Sequence, residues 1–264
     1  MSGARCFVGG LALLGPGLPS WAEAEPVLAG RQPWQNAAPV IPPPALLAPT
    51  ERRRTSLVVR LALAAAGAAV QAAGVAPDRV ETVFSSSNGD GAVVGAILDS
   101  LAAEDGEVSP TQFHNSVHNA AAGYWGIGAH STQPSNSLGC HQDSFPLGLL
   151  QAAAQVAGRG VSVLFCAYDA PLAGPLGPLH QVDFPFAMAC VLTPEPVAGT
   201  RGMRTVRHQA GAAAETPSPW NALGAANPAA RALPVLAALA AGKPATIVQP
   251  LLDEGHVSIE VAPC

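Results

Sequence analysis

SPTQFHNSVHNAAAGYWGIGAHSTQPSNSLGCHQDSFPLGLLQAAA, residues 109–154, is the stretch around which the chain is organised. It holds His114, His118, His130 and His141, four of the seven histidines. Outside it the sequence is mostly Ala, Leu, Val, Gly and Pro, which make cores and turns rather than chemistry. Ser109 followed by Pro110 reads as a helix cap with proline at the first helical position. The pattern predicts a helix that runs on into Ala120, Ala121, Ala122 and Gly123, a flat face for close approach of another helix. An extended piece, a sharp turn at Cys140-His141 and a second helix over 144–157 follow. A thiol at a strand-to-helix turn faces backbone N–H groups and the positive end of a helix dipole, which favours the thiolate. Chemistry is therefore expected at this turn, with Cys140 as the candidate nucleophile.

Composition narrows the classes. The 264 residues are 49% hydrophobic and 12% charged but only 5% aromatic, so the apolar content is small side chains. Small side chains suit close helix–sheet packing, and so little charge suits an oligomer better than a bare monomer. A net charge of −5 gives no reason to expect nucleic-acid binding. Arg52, Arg53 and Arg54 form the one basic cluster, read as a solvated helix start. Five scattered cysteines without a CxxC pair suggest free thiols in a reducing compartment, hence a cytoplasmic protein. Residues 1–24 imitate a signal peptide, but Gly15, Pro16, Gly17 and Pro19 interrupt the apolar run. Residues 4–8 are read instead as a buried strand ending in a Gly/Pro turn. No apolar run of about 20 residues lacks breakers, so no transmembrane segment is expected.

Taken in order, residues 23–50 form a proline-rich surface excursion. A helix follows, capped by Thr55 or Ser56, with Leu57, Leu61 and Val70 on its apolar face and Gly74 at its end. Residues 80–86 alternate as a strand and run into Ser85-Ser86-Ser87-Asn88-Gly89-Asp90-Gly91, a loop of the kind that lines sites in α/β proteins. Within it Asn88 and Asp90 are read as closing the turn. A helix over 92–103 precedes the quoted stretch. Beyond it come apolar strands over 161–167 and 184–192 with a loop at 171–178 between them. An exposed insertion is expected at about 194–219, then a helix over 230–241 and strands over 245–249 and 256–261. Strands alternate with helices throughout, which predicts one layered α/β domain over 1–264.

SPTQFHNSVHNAAAGYWGIGA, the cysteine turn and SFPLGLLQAA together resemble the N-terminal half of β-ketoacyl synthases. More narrowly, with GLALLGPGLPSW, ALLAPTERRRTSLVVRLAL and FSSSNGDGAVVGAIL, they resemble the short synthase-like proteins described as chain length factors in aryl polyene clusters. The resemblance implies an α/β thiolase-like half-fold, a layered mixed sheet with helices on both faces. In a working synthase it implies a cysteine that takes the acyl chain as a thioester, and two histidines that assist malonyl decarboxylation. Counting back eight residues from Gly148 lands on Cys140. Nothing in these residues resembles the synthases' His-Gly-Thr or later Gly-His segments. The resemblance therefore implies a partner subunit that pairs with a full-length ketosynthase and shapes its acyl tunnel, with acyl chains delivered on acyl carrier protein. His114, Asn115, His118, Asn119, Gly123, Tyr124 and Trp125 fall where such a channel or contact would lie, with Tyr124 and Trp125 gating or flooring it. No cofactor and no metal are implied.

Two other readings stand beside this one. Cys140 could serve an active condensing or acyl-transfer enzyme, or simply fill a tight turn. His114 and His118, spaced i, i+4 on one helix face, could seat a metal if His130 or Asp143 converged on them. A polar anchoring role alongside Asn115 and Asn119 is the simpler account. Cys166 and Cys190, inside apolar strands, read as core residues.

Overall fold

In the computed structural model, which describes residues 3–103, 106–172, 177, 180, 182–252 and 255–263, the chain begins in the middle of its sheet. Strand β1 (Ala4–Leu14) is apolar nearly throughout and runs past the expected end at residue 8; a register slip between Val8 and Gly10 absorbs the irregularity. The Gly/Pro turn comes later, at Gly15–Leu18. The supposed proline-rich excursion first forms helix α1 (Trp21–Leu28), capped by Ser20, and only then lacks regular structure over 33–44, where it is mostly exposed.

Short α2 (Pro49–Arg54) carries the three arginines in its last turn rather than at its start. Helix α3 (Leu57–Ala73) is capped as expected, with the Ser56 hydroxyl accepting from Val59 N–H and Gly74 left-handed at its end. Leu61 and Val70 are buried, but Leu57 is exposed. Next come β2 (Glu81–Ser85), α4 (Gly91–Ala102), α5 (Pro110–Ser116), α6 (Ala120–Ala129) and β3 (Ser135–Leu138). Helix α7 (Ser144–Arg159) runs through Gly158 to a left-handed Gly160. The chain closes with β4 (Val163–Asp169), β5 (Phe186–Thr193), β6 (Met203–Ala210), α8 (Asn221–Ala226), α9 (Leu233–Ala241), β7 (Ala245–Pro250) and β8 (Gly255–Ala262). Cys264 and most of the loop expected at 171–178 lie outside the described residues.

The described strands make one mixed sheet in the order β3-β2-β4-β5-β1-β6-β8-β7. β3, β2 and β4 are parallel, and every other pairing is antiparallel. Alternation along β4 and β5 sends Phe165, Met188 and Cys190 to a core beneath α7, and Leu164, Cys166 and Ala189 to one beneath α3 and α6. The α3 side shows why the sequence is rich in small residues. A Cβ on Gly10 would meet Ala69 O at 2.3 Å, so β1 and α3 approach backbone to backbone. Cys166 sits there fully buried with its thiol on Ala62 O, as a core residue.

The insertion expected at about 194–219 is corrected by β6, an interior strand between β1 and β8. Its Arg204 is fully buried near Cys6 and Cys190. Charged residues hid the strand, because a polar run with alternate residues buried reads locally like exposed sequence.

Candidate functional site

The three parallel strands end side by side: Ser85 lies opposite Leu138 on one side and Ala167 on the other. Carboxyl ends of parallel strands are where α/β sheets present loops to ligands. Here they present the 86–90 loop, the 139–143 turn and Asp169.

The turn is tightly held. Cys140 has φ −131° and ψ 36°, and His141 is left-handed at φ 51°, which a residue with a Cβ adopts only when its surroundings enforce it. Cys140 N–H donates to Ser144 Oγ at 3.0 Å, and that hydroxyl donates to His141 O at 2.8 Å. Ser85 Oγ donates to Ser144 O at 2.6 Å, tying the start of α7 to β2. From the 228–232 turn, Arg231 donates through Nη1 to Gln142 O and to Asp143 Oδ1, and through Nη2 to Pro250 O, at 2.7–2.9 Å. The other Asp143 oxygen accepts from Leu252 N–H at 2.8 Å.

These bonds change the electrostatics expected of Cys140. Burial, with the Asp143 carboxylate nearby, pushes its thiol up from the ordinary value rather than toward the thiolate. Its own N–H, which in an oxyanion-stabilising turn would point at the reacting carbonyl, is taken by Ser144. The His141 ring faces that of His180, with centroids 4.1 Å apart. Burial and the charge of His141 lower the pKa of His180.

The long helix expected from Ser109 breaks in two. α5 ends at Ser116, and Val117 is extended at φ −73°, ψ 139°. His114 and His118 therefore do not share a helix face, which removes the basis of the metal reading. Among the described residues no group of three metal-ligating side chains converges. His114 packs edge-on against the Tyr124 ring, with centroids 5.6 Å apart. The His118 ring goes the other way. Its Nε2 donates to Ser86 O at 2.9 Å, because a carbonyl can only accept. A Cβ on Gly139 would meet that nitrogen at 2.9 Å, so His118 is wedged between the loop and the residue before Cys140. Asn115 is buried and donates to Arg54 O, anchoring α5 to α2.

Of the remaining expected residues, Tyr124 and Trp125 are core side chains, with Trp125 tilted against Phe84. Each also borders a surface hollow. Tyr124 lines one of about 490 Å³ with Glu51, Arg54 and His114. Trp125 lines a second of about 460 Å³ with Asn119, Gly123 and β3 residues. Gly123 is exposed, and a Cβ there would meet nothing within 4 Å.

Sequence reasoning missed Arg231 as the clamp on the turn, Ser144 as the partner of Cys140, and the Ser86–Asp169 contact. Asp169 had one visible signal, a carboxylate closing an otherwise apolar strand. It is buried, and its Oδ1 accepts from Ser86 Oγ, Ser87 N–H and Ser87 Oγ at 2.8–2.9 Å. Asp90 caps α4 through Val93 N–H, the turn-closing role expected of it.

Residues 21–250 match the family model described as β-ketoacyl synthase, N-terminal domain. No curated protein matches the sequence. Among solved structures, one similar chain comes from a ketosynthase (ApeO) in complex with its chain length factor (ApeC) from Xenorhabdus doucetiae. It is 21% identical at a TM-score of 0.73, covering 97% of this chain and 99% of that one. A chain of the ishigamide ketosynthase/chain length factor is 15% identical at 0.74, covering 99% of both. A chain of AntDE:AntF, a type II PKS acyl-carrier protein in complex with its ketosynthase bound to the hexaketide, is 10% identical at 0.76, covering 100% of both. At these identities the likeness is one of fold. It agrees with the mixed sheet covered by helices on both faces.

Proposed function

The chain belongs to the β-ketoacyl synthase N-terminal-domain family, and from that premise we propose that it is a partner subunit of the chain length factor type. It acts as one domain, pairs with a full-length ketosynthase and shapes the tunnel that receives the growing acyl chain. The observation that carries this reading is the closed turn at Cys140. A condensing cysteine needs an ionisable thiol, and its tetrahedral intermediate needs free N–H donors. Here the thiol is held up by burial and by Asp143, and the N–H is bonded to Ser144. The chemistry then falls to the partner. Its cysteine holds the acyl thioester, and its histidines assist loss of CO2 from malonyl and stabilise the enolate that attacks.

Two surfaces support the pairing. β3 lies at the end of the sheet, and beside it the exposed Gly123 and the hollow next to Trp125 leave room for another backbone. Leu98, Leu101, Phe113, Val117 and Ile127 are also exposed, on or beside α4, α5 and α6, where water does not favour them. An acyl carrier protein, acidic at its surface, would meet Arg52, Arg53 and Arg54 at the end of α2. The cysteines Cys6, Cys140, Cys166 and Cys190 are unpaired, and among the described residues no helix is long and apolar enough to cross a membrane. The unpaired thiols suit work in a reducing compartment such as the cytoplasm.

The test is reconstitution. A ketosynthase, loaded acyl carrier protein and malonyl-loaded carrier protein would be assayed with and without this chain. Longer or more uniform products, and co-elution with the synthase, are expected only when the chain is present. Robust condensation by this chain alone would overturn the reading in favour of an active enzyme.

A further inference from the structure

The contact between the 86–90 loop and Asp169 has a chemical imbalance. One carboxylate oxygen, Oδ1, takes all three donors from Ser86 and Ser87. The other, Oδ2, is buried, and among the described residues no donor makes a hydrogen bond to it. The residue is only 1% exposed. A bare carboxylate oxygen in a core is costly when ionised and much less so when it carries the proton. Burial accordingly raises the carboxyl to about 6, against the bonds from Ser87 and Ser86 and a smaller pull from the Ala229 amide, whose N–H is given to Asn227 Oδ1.

Ser86 links this contact to both neighbouring segments. Ser86 N–H donates to Leu138 O, and its carbonyl accepts from His118, which is wedged against Gly139. The Ser86 hydroxyl also accepts from Gly89 N–H, just before the cap of α4. On the other side Asn227 Nδ2 lies 3.4 Å from Asp169 O. The titratable groups around the carboxyl are Tyr168, whose phenol feels both Asp169 and Asp90, and His118 across Ser86. Arg231, on the same turn as Ala229, is engaged by Asp143.

We propose that Asp169 is a proton-dependent pin for the 86–90 loop and the 139–143 turn. Protonated on Oδ2, it lets loop and turn close as one buried unit; ionised, it carries an unpartnered charge into the core and loosens that unit. The sign follows from linkage. A carboxyl whose folded value lies above its ordinary value of 3.8 leaves stability intact below 3.8. The contribution is lost as the pH rises through about 6. The site is thus tightest in mild acid and most mobile near neutrality. The property belongs to the free chain, so a failed pairing with a synthase leaves it standing.

The test compares the full chain with Asp169→Asn, in which a neutral amide replaces the protonated acid. Melting temperatures would be measured from pH 4 to 8. The variant is expected to gain on the wild type as the pH rises toward and past 6, with the gap then level. A gap independent of pH would overturn the proposal. Should the variant fail to fold, the wild type decides alone. Ionisation of its acceptor should shift the Ser87 amide proton resonance with a midpoint near 6. Ser87→Ala, which removes one donor, should move that midpoint upward. A Ser87 amide that does not titrate between pH 4 and 8 would also overturn it.

Discussion

The turn at 139–143 and the face made by α4, α5 and α6 are opposites. In the turn nearly every polar group has a partner: Asp143 is held by Arg231 and Leu252, and Ser144 by Cys140, His141 and Ser85. Across the neighbouring helices large apolar side chains stand in solvent, and Phe113 is 66% exposed. A condensing enzyme requires the reverse at its nucleophile, with donors left free for the transition state. This chain closes its turn with its own side chains and leaves its exposed apolar surface elsewhere. That distribution is the one the proposed partner-subunit role calls for.

The sharpest way to break the contrast is to open the turn. Arg231 and Asp143 form a buried pair, their side chains 10% and 9% exposed, at 2.9 Å. Arg231→Met leaves the Asp143 carboxylate unpaired and strands the carbonyls of Gln142 and Pro250. A loss of about 3–5 kcal/mol is expected, read from urea unfolding of the free chain. A loss below about 1 kcal/mol would show that the turn does not depend on the clamp.

The opposite face is probed by crowding it. In Gly123→Trp the ring enters space where a Cβ meets nothing, so the free chain should fold as before. Pairing should weaken by about 1–3 kcal/mol, the usual cost of overpacking a contact. Size-exclusion chromatography with light scattering, with a ketosynthase present, would report it. Unchanged assembly would move the contact away from α6 and β3.

How much of this contrast was legible follows from the range of the interactions. Ser56 and Gly74 announced α3 because caps act within one turn. The turn at Cys140-His141 was visible for the same local reason. The clamp was not, because Arg231 and Asp143 lie 88 residues apart and Ser86 and Asp169 lie 83 apart, with no periodicity to link them. Around the break at Val117 the weak helix formers Asn115, Ser116, His118 and Asn119 gave a local hint, but no Gly or Pro marked it. What ends α5 is tertiary: Asn115 is held by Arg54 O and His118 by Ser86 O, in different directions. β6 was lost because its charged residues outweigh its alternation, although Arg204 and Val206 are both buried.

A smaller effect is expected inside the turn from Ser144→Ala. It removes the acceptor for Cys140 N–H and the donor to His141 O, two partly buried bonds made by one hydroxyl. The cost should be about 1 kcal/mol. Its value is diagnostic, since it frees the one N–H a condensing turn would need. If partner-independent acyl transfer appears in this variant, the Ser144 bond is what silences the turn. If none appears, the raised thiol and the missing histidines suffice.

Cys140→Ala should do least of all, and that is what makes it decisive. The residue is half-buried, and the bonds that hold it are made by its backbone N–H and carbonyl, which alanine keeps. Only Sγ is lost, from a thiol already held in its neutral form by burial and Asp143. Stability should change by about 0.5 kcal/mol or less, as at other sites where no buried network is cut. Chain-lengthening with a ketosynthase should be unaffected, and mass spectrometry of the wild type after turnover should find no acyl group on Cys140. A nucleophile would give the contrary pair of results: activity abolished by the substitution, and a thioester adduct on the wild type that the variant lacks. The two outcomes cannot be confused with unfolding, because alanine fits the same φ and ψ and leaves the Arg231–Asp143 clamp in place.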